Sequence, residues 1–138
     1  MKIVKYNGEK PTQGTEYAAG YDLRSLEDVI IEPNTSGKVV SSTKIQSDMN
    51  LFHIAVPRSS LCNKNGLILM NSLGIIDPDY TGATVWNFWN LSSEPVAIKK
   101  GERIGQVVFM NRIAVNFVNE AFIYTDRGEG GFGSTGVY

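Results

Sequence analysis

Apolar residues along this chain fall in short runs, rich in Val and Ile, divided by Gly, Pro, Asn and Ser. The runs are Val29-Ile30-Ile31, Leu51 to Val56, Gly66 to Met70, Thr84 to Trp89, Gly105 to Met110 and Ala121 to Tyr124. Stretches this short, bounded by turn-forming residues, predict strands, because an extended chain crosses a domain in few residues and sends alternate side chains to opposite faces. Turn chemistry lies at Glu32-Pro33-Asn34, Asn63-Lys64-Asn65-Gly66, Asp77-Pro78-Asp79 and Lys99-Lys100-Gly101. The best helix candidate, Asn71 to Ile75, is too short, and Pro57 and Pro78 interrupt their surroundings. The pattern predicts an all-β sandwich or barrel.

No repeat or linker divides the sequence, and the one shift in composition is the end. Five of the 14 glycines lie in Arg127 to Tyr138 (RGEGGFGSTGVY). Such a stretch cannot pack on itself, and its backbone entropy is costly to fix. It reads either as a frayed terminus or as an arm that orders over a ligand, since closely spaced glycines let backbone N–H groups converge on phosphate oxygens. The expected organisation is one domain over residues 1–126 with an arm of the same domain over 127–138. Gly128 to Gly133 matches G-x-G-x-x-G, but a dinucleotide fingerprint needs a βα unit before it and a helix after it. A phosphate-binding loop fails too, because Ser134 stands where its lysine belongs.

Composition then removes function classes. A chain of 138 residues can build a core without metal or disulfide staples. With 13 Lys and Arg against 14 Asp and Glu, the net charge of −1 lacks the positive field of a nucleic-acid or membrane-surface binder. Neither is expected as a partner, and a polyanion would need a local site. Cys62 and His53 are the only residues of their types, which excludes internal disulfides, multi-cysteine metal sites and two-histidine metal sites. No run of 18 apolar residues and no signal-like start is present, so the cytoplasm is the expected compartment, the host's if the source is viral or a phage.

Four further segments carry chemistry. Ala19-Gly20-Tyr21-Asp22-Leu23 sets an acid beside a glycine, which alone reads as a turn cap. Pro57-Arg58-Ser59-Ser60-Leu61 follows a fork-shaped cation with two hydroxyls, a grouping suited to phosphate and equally common in surface loops. Ser59 as a nucleophile activated by His53 is rejected, because no strand-turn-helix elbow is expected there. Gly74 to Gly82 (GIIDPDYTG) puts Asp77 at the end of an apolar strand, where a carboxylate can hold and polarise a water, or simply form a turn. Arg103 to Val108 reads as a strand entry carrying one amide, Gln106.

Together and in order, these segments resemble the five motifs of the trimeric deoxyuridine triphosphate nucleotidohydrolases, the dUTPase family. They are Ala18 to Ser25 (AAGYDLRS), Pro57 to Leu67 (PRSSLCNKNGL), Asn71 to Gly82 (NSLGIIDPDYTG), Arg103 to Phe109 (RIGQVVF) and Arg127 to Gly136 (RGEGGFGSTG). The resemblance implies a jelly-roll-like β-barrel and a homotrimer, with each active site completed by a neighbour's C-terminal arm. It implies Mg²⁺-dependent hydrolysis of dUTP to dUMP and pyrophosphate, limiting uracil in DNA and supplying dUMP for dTMP synthesis. Asp77 matches the acid that activates water for attack on the α-phosphorus. Arg58, Ser59, Ser60 and Arg127 match phosphate contacts, Gln106 a holder of ordered water, and Asp22 an indirect contact to Mg²⁺, which the substrate's phosphates mainly hold. Asn71, Gly74, Ile75, Ile76 and Val85 would grip the uracil, Tyr80 would lie under the deoxyribose, and Phe132, with Gly133 and Ser134, would close over the nucleotide.

Two places depart from the family pattern. Ala83-Thr84 and the aromatic-rich Val85 to Asn90 (VWNFWN) replace the usual residues after Gly82, which leaves the role of Val85 open. Gly105 replaces a frequent alanine and is expected only to loosen its strand. Two other functions compete: a dCTP deaminase, which the intact Asp77 to Tyr80 segment argues against, and a dUTP-responsive regulator with a protein partner.

Overall fold

The computed structural model describes residues 1–136, so Val137 and Tyr138 of the expected arm lie outside the described residues. The elements in order are β1 (Lys5–Gly8), β2 (Tyr21–Arg24), β3 (Val29–Ile31), β4 (Ser36–Gln46), β5 (Leu51–Pro57), α1 (Ser59–Asn65), β6 (Leu67–Leu69), β7 (Gly74–Ile76), β8 (Ala83–Asn90), β9 (Val96–Ile98) and β10 (Arg103–Asn111). Two four-stranded sheets run in the orders β1-β4-β8-β6 and β2-β10-β5-β7, and β3 pairs with β9. Every described pairing is antiparallel. The all-β expectation holds.

The core lies between the inner faces of the two large sheets. Trp86 and Phe88 of β8, Val39 of β4 and Leu67 of β6 meet Leu23 of β2, Ala55 of β5 and Ile104 and Val107 of β10. Strand β8 shows why these residues fold this way: Thr84, Trp86, Phe88 and Asn90 are buried, while the residues between them are not. Period-two burial fixes the register, since a slip of one residue would send Trp86 and Phe88 into water. Truncating either ring to Ala costs about 3–5 kcal/mol.

Three expectations fail, each for a local reason. Ala121 to Tyr124 is not a strand, because no strand among the described residues pairs with it; Phe122 and Tyr124 are exposed. Ser59–Asn65 is a helix rather than a loop, closed by Gly66 at φ 67°, whose N–H donates to the carbonyl of Cys62 at 3.0 Å. Gly105 does more than loosen β10. A Cβ built there would lie 2.5 Å from Cε2 and 2.6 Å from Nε1 of Trp86, so the indole occupies the space an alanine methyl needs.

Candidate functional site

The first group of expected residues gathers where β7 ends. Asp77 follows Ile76 directly, and the N–H of Tyr80 donates to the Asp77 carbonyl at 3.2 Å, closing a turn pinned by the buried ring of Pro78. The Tyr80 hydroxyl donates to the Ala83 carbonyl at 3.0 Å, which tethers the turn to the start of β8. Between them opens a cavity of about 300 Å³ lined by Asn71, Gly74, Ile75, Ile76, Asp77, Tyr80 and Val85, with Ala83 and Thr84. Ile75 and Val85 are solvent-exposed there, although they are large apolar residues. An apolar wall beside one amide, one phenol and one carboxylate suits a flat, weakly polar ring attached to something charged.

A second group lies where β2, β5 and β10 meet. The buried Asp22 carboxylate accepts a hydrogen bond from Arg103 Nη1 at 3.1 Å on Oδ2, and its Oδ1 is 3.5 Å from Arg58 Nε. Gln106 stands opposite Asp22 on one side and Val56 on the other. Its amide Oε1 lies 2.2 Å from where a Cβ on Gly20 would sit, so that glycine makes room for it. Arg58 holds the N-cap position of α1 in extended backbone, with Ser59 exposed and Ser60 half-buried beside it. The cations are thus held ready by one carboxylate, a charge-assisted arrangement a phosphate oxygen can compete for. Arg103 is the residue the sequence reading missed, since only the β2–β10 pairing brings it to Asp22.

β5, Arg58 and α1 do form a strand-turn-helix, contrary to expectation, yet the Ser59–His53 pair still fails. His53 is four residues back from Pro57 on β5, about 13 Å at about 3.3 Å per residue. It is buried, its Nδ1 is 3.4 Å from the Ser47 hydroxyl, and burial pushes its pKa down to about 4.

The two groups do not meet within one chain. Ile76 pairs with His53 on β5, which places Asp77 beside Phe52, whereas Arg58 follows the far end of the same strand. Six residues of extended chain separate those levels, about 20 Å. The arm stands apart from both groups. Arg127 Nε donates to its own Gly130 carbonyl at 2.9 Å, and Ser134 and Gly136 N–H groups close local turns onto Gly131 and Gly133. Phe132 is fully exposed at φ 52°, next to Gly133 at φ 92°. Among the described residues, no hydrogen bond joins 127–136 to the sheets.

Among the described residues, no three His, Cys, Asp or Glu side chains cluster to hold a metal ion. Asp22 has both oxygens engaged by arginines, which fits contact with a metal through water rather than direct ligation.

This is an all-β protein with an acid-bearing cleft at one end of a sheet and two arginines gathered on one buried carboxylate at the other. The dUTPase family profile matches residues 6–136. The chain is 42% identical over 130 residues to the deoxyuridine 5'-triphosphate nucleotidohydrolase of Haemophilus influenzae, covering 91% of this chain and 86% of the relative. Among solved structures it is similar to the dUTPase of Streptococcus mutans, with TM-score 0.76, 28% identity, and 81% and 98% of the two chains covered. A mutant dUTPase from phage phi11 of S. aureus, described with a coordinated structural Mg(II) ion, matches in fold with TM-score 0.81 at 16% identity, covering 89% and 99%. The chain belongs to the dUTPase family.

Proposed function

We propose that this protein hydrolyses dUTP to dUMP and pyrophosphate, limiting uracil incorporation into DNA and supplying dUMP for dTMP synthesis. The observation that carries this reading is Asp77 at the edge of a cavity whose other walls suit a pyrimidine nucleoside. Asp77 holds a water and takes its proton as the oxygen attacks the α-phosphorus. The bond to the bridging oxygen then breaks, and pyrophosphate leaves with the electron pair.

Asn71 and the backbone of Gly74, Ile75 and Ile76 read the uracil edge, where cytosine would present a donor to a donor. A site that leaves buried polar groups unpaired against the wrong base discriminates by on the order of 10⁴-fold. Val85 crowds the position of a thymine methyl, and Tyr80 fills the space of a 2′-hydroxyl. Arg58, Ser59 and Ser60 bind phosphate oxygens, and Gln106 holds an ordered water. Asp22 meets, through water, the Mg²⁺ that arrives on the triphosphate and offsets its charge. In the arm of residues 127–138, Arg127 adds a cation, Phe132 covers the uracil, and the Gly133 and Ser134 backbone turns toward the phosphates.

The separation of about 20 Å between Asp77 and Arg58 along β5 supports a site shared between subunits, as in the homotrimer the family resemblance implies, because both act on one phosphate chain and a single chain cannot bring them to it. One subunit then supplies Asp77 and its cavity, another the arginine group, and an arm closes the site. The cytoplasm, where free nucleotides are hydrolysed, is the proposed compartment.

The test is to mix the purified protein and Mg²⁺ separately with dUTP, dCTP, dTTP and UTP, and to follow pyrophosphate and ammonia. Pyrophosphate from dUTP alone is expected. Ammonia from dCTP would assign a deaminase, and tight dUTP binding without turnover would assign a nucleotide-responsive regulator with a protein partner.

A further inference from the structure

The Trp86 indole is fully buried and rests against the bare Cα of Gly105. Three of its ring atoms, Cε2, Nε1 and Cζ2, lie 2.5, 2.6 and 2.7 Å from the point where a Cβ on Gly105 would be. No other large side chain in the core meets a glycine this closely among the described residues except Ile31 against Gly37, which lies away from both candidate groups. Gly105 is opposite Leu23 on β2 and Pro57 on β5. One residue to one side of this level stand Asp22 on β2 and Gln106 on β10, and one residue to the other side, after Pro57, stands Arg58. One contact therefore sits at the level between Asp22 and Gln106 on one side and Arg58 on the other.

The backbone at that point is irregular on its β2 side, while its ladder to β5 is unbroken. The register of β10 against β2 slips between Arg103 and Gly105, leaving Ile104 outside the ladder. Trp86 Nε1 is buried without a hydrogen-bond partner, which is unfavourable in itself and argues that the ring is placed there for shape. Interiors transmit displacement because they are close-packed, so the thickness of the indole is passed to the strands above it.

We propose that Trp86 and Gly105 form a volume-matched positioning pair that sets the positions of Arg58, of Asp22 that holds it, and of Gln106 in the group facing the substrate's phosphates. Neither residue touches substrate. This rests on the reading that the group binds the phosphates of dUTP. An added methyl on Gly105 lifts β10 from its neighbours, and a smaller ring at position 86 lets it sink. Misplacing a binding group by about 1 Å can cost up to about a hundredfold, so the pair acts on phosphate affinity as well as on folding.

The experiment compares Gly105→Ala, Trp86→Phe and the double variant with the unaltered protein. It measures kcat and KM for dUTP with Mg²⁺, inhibition constants for inorganic pyrophosphate and for deoxyuridine, and the melting temperature. Each single variant is expected to raise KM and the pyrophosphate constant by roughly tenfold or more, with the deoxyuridine constant within about twofold. The double variant, which trades a methyl for the lost part of the indole, is expected to recover most of the loss. If the single variants lower only the melting temperature, or weaken deoxyuridine and pyrophosphate alike, the pair is merely structural and the proposal falls. If Gly105→Ala fails to fold, Trp86→Phe carries the same comparison. Unaltered protein that binds pyrophosphate but does not hydrolyse dUTP would overturn the functional reading while leaving the pair testable by pyrophosphate binding alone.

Discussion

Arg103 donates to Asp22 Oδ2 at 3.1 Å while Arg58 approaches the other carboxylate oxygen, so one buried acid serves two cations from two different elements. In Asp22→Asn the amide offers one acceptor oxygen and no charge. Because both guanidinium groups are partly exposed, the expected loss of stability is modest, about 1 kcal/mol. The functional loss is larger: KM for dUTP is expected to rise by about tenfold or more, with a steeper requirement for Mg²⁺. Titrating Mg²⁺ at fixed dUTP checks it; an unchanged Mg²⁺ dependence would remove Asp22 from its proposed role.

Asp77→Asn isolates chemistry from folding. The Asp77 carboxylate is exposed and makes no hydrogen bond or ion pair among the described residues. Turnover is therefore expected to fall by about 10²- to 10⁴-fold with the melting temperature unchanged. Wild-type kcat in this variant would refute the assignment of the base.

Gly82 is a test of the sugar pocket. A Cβ there would lie 2.2 Å from the Tyr80 hydroxyl and 2.5 Å from Cζ. Gly82→Ala must push the ring aside, breaking its bond to Ala83, at little cost to the fold because the far end of a side chain can move. The ratio of kcat/KM for dUTP over UTP is expected to drop by roughly tenfold or more. Discrimination that survives the substitution would mean Tyr80 does not exclude the 2′-hydroxyl.

His53 predicts a stability profile. Its pKa falls from about 6.5 unfolded to about 4 folded, because burial disfavours the charged ring. The unfolded chain then binds more protons between those values, so stability is fully present above pH 6.5 and is lost as pH falls toward 4. The difference corresponds to at most about 3 kcal/mol. Urea unfolding at a series of pH values should show this slope, and His53→Gln should flatten it.

Truncation after Asp126 removes the arm alone. Since, among the described residues, Phe132 and its neighbours make no hydrogen bond to the sheets, the melting temperature is expected to hold while turnover of dUTP falls by about a hundredfold or more. Full activity without the arm would leave the glycine-rich end as a plain terminus.

Strands β5, β8 and β10 were legible because their inward positions are apolar and their outward ones often are not. Strand β4 was hidden, although it is the longest, because Ser41 and Thr43 stand among its buried positions and break the contrast. Helix α1 gave no signal: SSLCNKN has one apolar anchor, Leu61, and its helicity comes from burying that residue and from the Gly66 cap. Asp22, Arg58, Asp77 and Gln106 were each ambiguous by residue type and became candidates only through the resemblance of five ordered motifs. Their division between two ends of one sheet was not legible, because strand pairing, and not residue type, decides which end of β5 each of them meets.

The distance along β5 between Asp77 and Arg58 also bears on inheritance. In an assembly whose sites join one subunit's acid to another subunit's arginine, a chain defective only at Asp77 and a chain defective only at Arg58 are each inactive alone. Mixed oligomers of the two contain interfaces where the intact acid of one meets the intact arginine of the other. Two null alleles of this gene would then complement each other in the same cell, and two alleles damaged in the same group would not.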